Sequence, residues 1–129
     1  MNQDLIKSLE DAPLWYLGTC SSDDPNVVPV GFKWLEGERL LIADLFFGKT
    51  RRNIDANPRV AVSVGALGPK RGFQIKGRAI THREGVVFGR VRALMDKDGL
   101  GEALQTVIEV AAEELFLLDP GGHAGERLK

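Results

Sequence analysis

Between Ala43 and Val60 the chain reads Ala-Asp-Leu-Phe-Phe-Gly-Lys-Thr-Arg-Arg-Asn-Ile-Asp-Ala-Asn-Pro-Arg-Val. This is the end of a strand, a loop, a short helix over Thr50–Ala56 and the start of another strand. Most other strand-like runs follow one another through turns. Leu14–Cys20 is rich in aromatic and β-compatible residues, and Ser21–Asn26 is a turn by composition. Val27–Leu35 passes through Glu36-Gly37-Glu38 into Arg39–Asp44, a connection short enough to require an antiparallel hairpin. A doubly wound sheet needs a helix between most strands, and this chain has too few.

The remaining elements fit the same architecture. Leu5, Ile6, Leu9 and Ala12 recur at helical spacing, with Asp4 placed to cap and Pro13 to stop the helix. Arg59–Gly65 alternates as a strand, Gly65–Arg71 with Gly68-Pro69 is a loop, and Gly72–Thr81 is a further strand. Val87, Phe88, Val91, Leu94 and Met95 form a helical stripe that reads as core. Thr106–Val110 and Leu115–Leu118 favour strand, so Gln105–Leu118 is taken as a strand broken near Ala111-Ala112, with a flexible tail from Gly121-Gly122. The order is helix, three strands, helix, two strands, helix, strand. It suits a mainly β protein, a split antiparallel barrel with peripheral helices occupying residues 1–129 as one domain. Pro29 and Gly31 are unusual inside a strand and mark either an irregular edge or a backbone opened towards a flat ligand.

The bulk properties narrow the function. At 129 residues the chain can bury a core without disulfides or metals. The formal net charge of −1 offers no basic field for nucleic acid. The single Cys20 suits a reducing compartment, and no apolar run approaches the ~20 residues of a membrane span. With a polar, amphipathic N-terminus, the expectation is a cytoplasmic protein with neither membrane nor nucleic-acid partners. His82 and His123 are isolated and read as surface residues; neither they nor Asp23-Asp24 suggest a metal centre or a catalytic pair.

Gly48, Lys49 and Thr50 open the central helix, where free N–H groups and the positive end of the helix dipole favour a phosphate. The pattern argues against a nucleotide-triphosphate loop. Ala43 stands where its first glycine belongs, and Asp44, Leu45, Phe46 and Phe47 are too bulky to wrap phosphates. The site therefore points to a phosphorylated small molecule, the other reading of Lys49-Thr50-Arg51-Arg52 being an exposed, solvated helix start.

Taken in order, Val28-Pro-Val-Gly-Phe-Lys33, the Gly48–Val60 run, Gly72-Phe-Gln-Ile-Lys-Gly-Arg-Ala79 and Leu118-Asp-Pro-Gly-Gly-His-Ala-Gly125 resemble the FMN-binding split-barrel proteins related to pyridoxamine 5′-phosphate oxidase. The resemblance covers about Leu14 to Leu128 and implies FMN as cofactor, held at the subunit interface of a homodimer. It implies Lys49 as the phosphate-binding lysine with Gly48 and Thr50 beside it. Val30, Gly31, Phe32 and Lys33 would run along the flavin edge, and Ile42, Ala43, Asp44 and Phe47 would lie beside the cofactor. Gln74 matches a glutamine that contacts the cofactor in the oxidase. Phe46, Trp15 and Trp34 are open either as ring walls or as ordinary packing. The oxidase carries an arginine where this chain has Val28 and another basic residue where it has Gly48. Phosphate charge must then be met by Arg51, Arg52 or Arg71, and pyridoxamine phosphate oxidation itself is not expected. The resemblance implies an oxidoreductase or electron carrier, with a nicotinamide nucleotide as one candidate donor. A non-catalytic flavin-binding module and a haem- or F420-binding barrel are the alternatives.

Overall fold

A computed structural model describes residues 1–65, 72–120 and 122–129. The loop expected around Gly68-Pro69 lies outside the described residues, as does Arg71. The elements are α1 (Gln3–Asp11), β1 (Trp15–Ser21), β2 (Asp24–Val30), β3 (Lys33–Glu36), β4 (Arg39–Asp44), α2 (Lys49–Ala56), β5 (Arg59–Val64), β6 (Phe73–His82), α3 (Gly85–Asp96) and β7 (Thr106–Leu117). The strands form one antiparallel sheet in the order β2-β1-β5-β6-β7-β4-β3.

That order explains the barrel. β2 and β3 are the two edges of a seven-stranded sheet, yet only Gly31 and Phe32 separate them in the chain. Three virtual bonds of ~3.8 Å cannot span more than about 11 Å, so the sheet must curl until its edges nearly meet. The expected single strand Val27–Leu35 is therefore two strands on opposite edges. Gly31 and Phe32 form the crossing, and the Phe32 carbonyl still accepts from the Ala43 N–H at 3.0 Å. Pro29 falls on edge strand β2, where its missing donor costs least.

Three other readings are corrected. The β1–β2 turn is only Ser22-Asp23, both at positive φ (52° and 61°), so Asp24, Pro25 and Asn26 belong to the strand. β7 is not broken at Ala111-Ala112; Glu113 bulges between two ladder pairs. Gly77 is required opposite the bulge, because a β-carbon there would collide with the Ala111 carbonyl oxygen. The C-terminal segment is not a free tail. β4 pairs with β7 only as far as Ala111, and the chain returns along the vacated edge. Gly125 N–H donates to Leu117 O at 2.6 Å, and Leu128 N–H to Leu115 O at 2.7 Å.

Two apolar clusters hold the fold together. The barrel interior gathers Leu17, Leu40, Ile42, Val62, Phe73, Ile75, Ile108 and Val110. α1 adds Leu5 and Leu9, whose i, i+4 spacing sets them on one face. Burying each stabilises by about 1.5–3 kcal/mol. Trp15 is 1% exposed in this core and donates from Nε1 to Leu9 O at 2.9 Å, so it walls no ligand. The second cluster lies where α3 covers the outer face of β4 and β7, with Val91 and Met95 against Leu41, Ala43 and Val107.

Candidate functional site: the start of the second helix

The turn Asp44–Gly48 aims α2, and its side chains are sorted by environment. Leu45 packs towards the α3 cluster, Phe47 towards the barrel interior, and Phe46 is 83% exposed. Asp44, fully buried, organises the turn. It accepts from Phe47 N–H and from Thr106 Oγ1, both at 2.7 Å, and lies 3.0 Å from Arg51 Nε. Arg51 also donates to the Phe47 carbonyl at 3.0 Å and to Gln105. Gln105 Nε2 donates to Leu45 O at 2.8 Å, so the turn is pinned from both sides.

α2 begins at Gly48, which supplies no side-chain cap, and its first turn carries no acidic residue. The N–H groups of the first turn are therefore open donors at the positive end of the helix. Lys49 extends from this end, its ammonium 3.2 Å from Asp24. Thr50 is buried, and its hydroxyl accepts from Asn26 Nδ2 at 3.0 Å. Asp24 and Asn26, two apart on β2, thus reach neighbouring residues of the helix start. Both fall in the Ser21–Asn26 stretch that reads as a turn by composition. Their i, i+2 spacing opposite β1 was the available signal.

The second group of expected residues sits at the β2–β3 crossing. Val30 is buried, Gly31 and Phe32 form the link, and Lys33 opens β3 opposite Ile42. Ala43 bonds to Phe32, so residues 30–33 and 42–44 are one contiguous patch, and the chain runs from it directly into the α2 start. The Lys33 ammonium donates to the Ala12 carbonyl at 2.8 Å and sits 5.1 Å over the Trp15 ring. Burial pushes its pKa below the ordinary 10.5.

Gln74 is elsewhere. It lies on β6 opposite Ser63, which is opposite Tyr16 on β1, whereas Asp24 faces Ser21. The five-residue offset along β1 puts Gln74 about 17 Å down the strands from the Lys49 partner. Two open grooves also lie apart from Lys49. One of 870 Å³ runs between α1 and Leu14, Tyr16 and Ser63; one of 550 Å³ crosses Gly18, Val27, Ala61 and Lys76.

His82 is not a free surface histidine. Its Nε2 lies 2.8 Å from Glu109, a carboxylate 6% exposed that also binds Arg39. Burial pushes the Glu109 pKa up, but hydrogen bonds from His82 and Arg39 outweigh it and hold the carboxyl below 4.5. The group ties β4, β6 and β7 together. No helix among the described residues is long and apolar enough to cross a membrane.

The curled seven-stranded sheet, with its edges joined by a two-residue crossing, defines a split-barrel protein. Residues 2–119 match the pyridoxamine 5′-phosphate oxidase family, and the chain belongs to that family. It is 37% identical over 132 residues to an uncharacterised protein of Methanocaldococcus jannaschii, covering 98% of this chain and 86% of that one. HupZ of group A Streptococcus has the same fold, with a TM-score of 0.83 at 20% identity over 97% of this chain and 99% of HupZ. An F420 reductase (TM-score 0.66, 24% identity, 84% of this chain and 93% of that one) shares it too. So does an FAD-binding protein of Mesorhizobium loti (TM-score 0.67, 18% identity, 85% and 88%). At these identities the likeness establishes the fold.

Proposed function

We propose that this chain is an FMN flavoprotein of the cytoplasm. It would act as a homodimer that moves electrons or hydride between a nicotinamide-type donor and a second acceptor. One observation carries the reading. In a member of this family, α2 leaves its N-terminal donors uncapped and begins with Lys49. The donor set fits a phosphate monoester, which carries between one and two negative charges near neutral pH and accepts hydrogen bonds from amides and ammonium together.

Under this reading Lys49 and the amides after Gly48 hold the phosphate. Thr50, turned inward to Asn26, fixes the helix start. The isoalloxazine lies along the patch of Val30–Lys33 and Ile42–Asp44. There Ile42 and Asp44 bury their side chains and act as framework. Lys33 spends one donor on Ala12, and its ammonium keeps two others for a ring that gains negative charge on reduction. FMN supplies the redox chemistry; the protein binds, orients and tunes it. Gln74 lies on β6, three strands across the sheet from the edge strand β2, or about 14 Å at ~4.8 Å per strand, so the reading assigns that contact to Gln74 of the partner subunit. The exposed Tyr16 and Val27, on the outer face of β1 and β2, are the surface such a partner would cover.

Purification tests this directly. The expected product is yellow, releases FMN identifiable by mass, and bleaches with NAD(P)H under anaerobic conditions. Flavin that never bleaches would leave a binding module, and a Soret band would replace flavin by haem. Lys49→Ala is expected to weaken FMN binding by about 1–3 kcal/mol in a fluorescence titration. A colourless protein that takes up no FMN sinks the proposal.

A further inference from the structure

The two consecutive arginines of α2 have opposite surroundings. Arg51 turns inward, 27% exposed, its guanidinium committed to Asp44, Phe47 and Gln105. Its charge is neutralised inside the fold. Arg52 is exposed and turns back along the helix. Its Nη1 lies 3.7 Å from where a β-carbon at Gly48 would stand. Among the described residues the Arg52 guanidinium has neither a hydrogen bond nor an ion pair. Lys49, by contrast, is already in contact with Asp24.

From this geometry we infer that Arg52 is the second phosphate-binding cation of the site, reaching back one turn to replace the side chain that Gly48 lacks. The inference rests on the FMN reading and goes beyond it by assigning a residue. Helical side chains tilt towards the N-terminus, so a residue at i+4 covers the surface above residue i. Arg52 therefore serves the place where a basic side chain at position 48 would project. The absence of a side chain at Gly48 leaves that place to the guanidinium. The division of labour is chemical as well. A guanidinium presents paired N–H donors to two phosphate oxygens, whereas the Lys49 ammonium is a compact charge. Asp24, 66% exposed, opposes the incoming anion and must leave Lys49 as the phosphate arrives.

The test titrates full-length wild type, Arg52→Ala, Arg52→Lys, Asp24→Asn and the double variant Arg52→Ala/Gly48→Arg with FMN, followed by flavin fluorescence. Thermal melting of each unliganded protein accompanies the titrations. Arg52→Ala is expected to lose about tenfold or more in FMN affinity with an unchanged melting temperature. Arg52→Lys keeps part of the affinity, Gly48→Arg in the Arg52→Ala background restores it, and Asp24→Asn binds FMN more tightly than wild type. An Arg52→Ala protein that binds FMN within about twofold of wild type overturns the inference and leaves the FMN reading standing. So does a loss of affinity that tracks a loss of stability and is not restored by the relocated arginine. A wild type that binds no FMN removes the FMN reading itself, and with it this assignment.

Discussion

α1 and α2 are nearly equal in length, at nine and eight residues, and they treat their N-termini in opposite ways. α1 closes its own end. The Asn2 side chain accepts the Leu5 N–H at 2.7 Å, and Asp4 in the first turn offsets the positive pole. Asp4, the residue expected as the cap, stands two residues past it, at the second helical position. α2 has glycine at the cap, no acidic residue in its first turn, and Lys49 at its first position. A cation at the positive end of a helix opposes the dipole by about 0.3–1 kcal/mol. α2 thus begins against its own stability, and α1 does not. α3 shows that an open cap is not sufficient. Its Glu84 makes no capping bond either, but its first turn is Gly85, Val86 and Val87, with no cation. What separates α2 is the open cap and the local electrostatic conflict together, and such conflict is expected where a ligand supplies the missing charge.

The largest effect in this comparison belongs to the residue beneath α2. Asp44→Ala would strip Phe47 and Thr106 of their common acceptor and the half-buried Arg51 of its counter-charge, at a cost of about 3–5 kcal/mol. Urea unfolding should show the loss, with FMN affinity falling as the helix start loses its support. A variant as stable as wild type would mean that the turn is held by Gln105 and packing alone.

Next in size is a swap that makes α2 resemble α1. Gly48→Asp places a carboxylate where the phosphate is expected. Gly48 has negative φ (−101°), so the substitution is sterically open. FMN affinity should drop by about tenfold or more, while stability stays within about 1 kcal/mol of wild type. Equal affinity in the two proteins would erase the distinction between the helices.

Much of this arrangement was legible in the residues. The alternation of Arg59–Val64, the Glu36–Glu38 hairpin and the helical stripe of Val91 and Met95 all carry local periodicity, and local periodicity is what a sequence displays. The split of Val27–Leu35 into two strands was not legible. Nothing within those residues states that Gly31 and Phe32 join opposite edges of one sheet; that is set by the pairing of β7 with both β4 and β6. The tail was misread for a similar reason, since the edge it covers is vacated by β4, far away in the chain. At the site, Lys49 was readable from the helix start, but the choice between Arg51 and Arg52 was not. Adjacent residues on a helix point about 100° apart, and only packing decides which one meets Asp44.

Asn2→Ala is the reciprocal, smaller perturbation. It opens α1 at the cost of about 1 kcal/mol, visible in the urea midpoint, and should leave FMN affinity unchanged. An effect on FMN would mean that α1 couples to the flavin patch, and the contact from Lys33 to Ala12 would be the route.

The smallest effect tests a charge set that makes no hydrogen bond or ion pair with α2 among the described residues. Glu109, held below 4.5 by His82 and Arg39, binds fewer protons in the folded state than in the unfolded one. Its stabilisation is complete above the unfolded value and is lost as pH falls through the folded one. Wild type should therefore lose melting temperature on acidification below 4.5 more steeply than Glu109→Gln, which cannot titrate there. FMN affinity above that pH should be the same in both proteins, since this carboxylate satisfies the fold and Lys49 and Arg52 do not. If Glu109→Gln altered flavin binding instead, the contrast between a charge set that is closed and one that awaits a ligand would fail at its structural end.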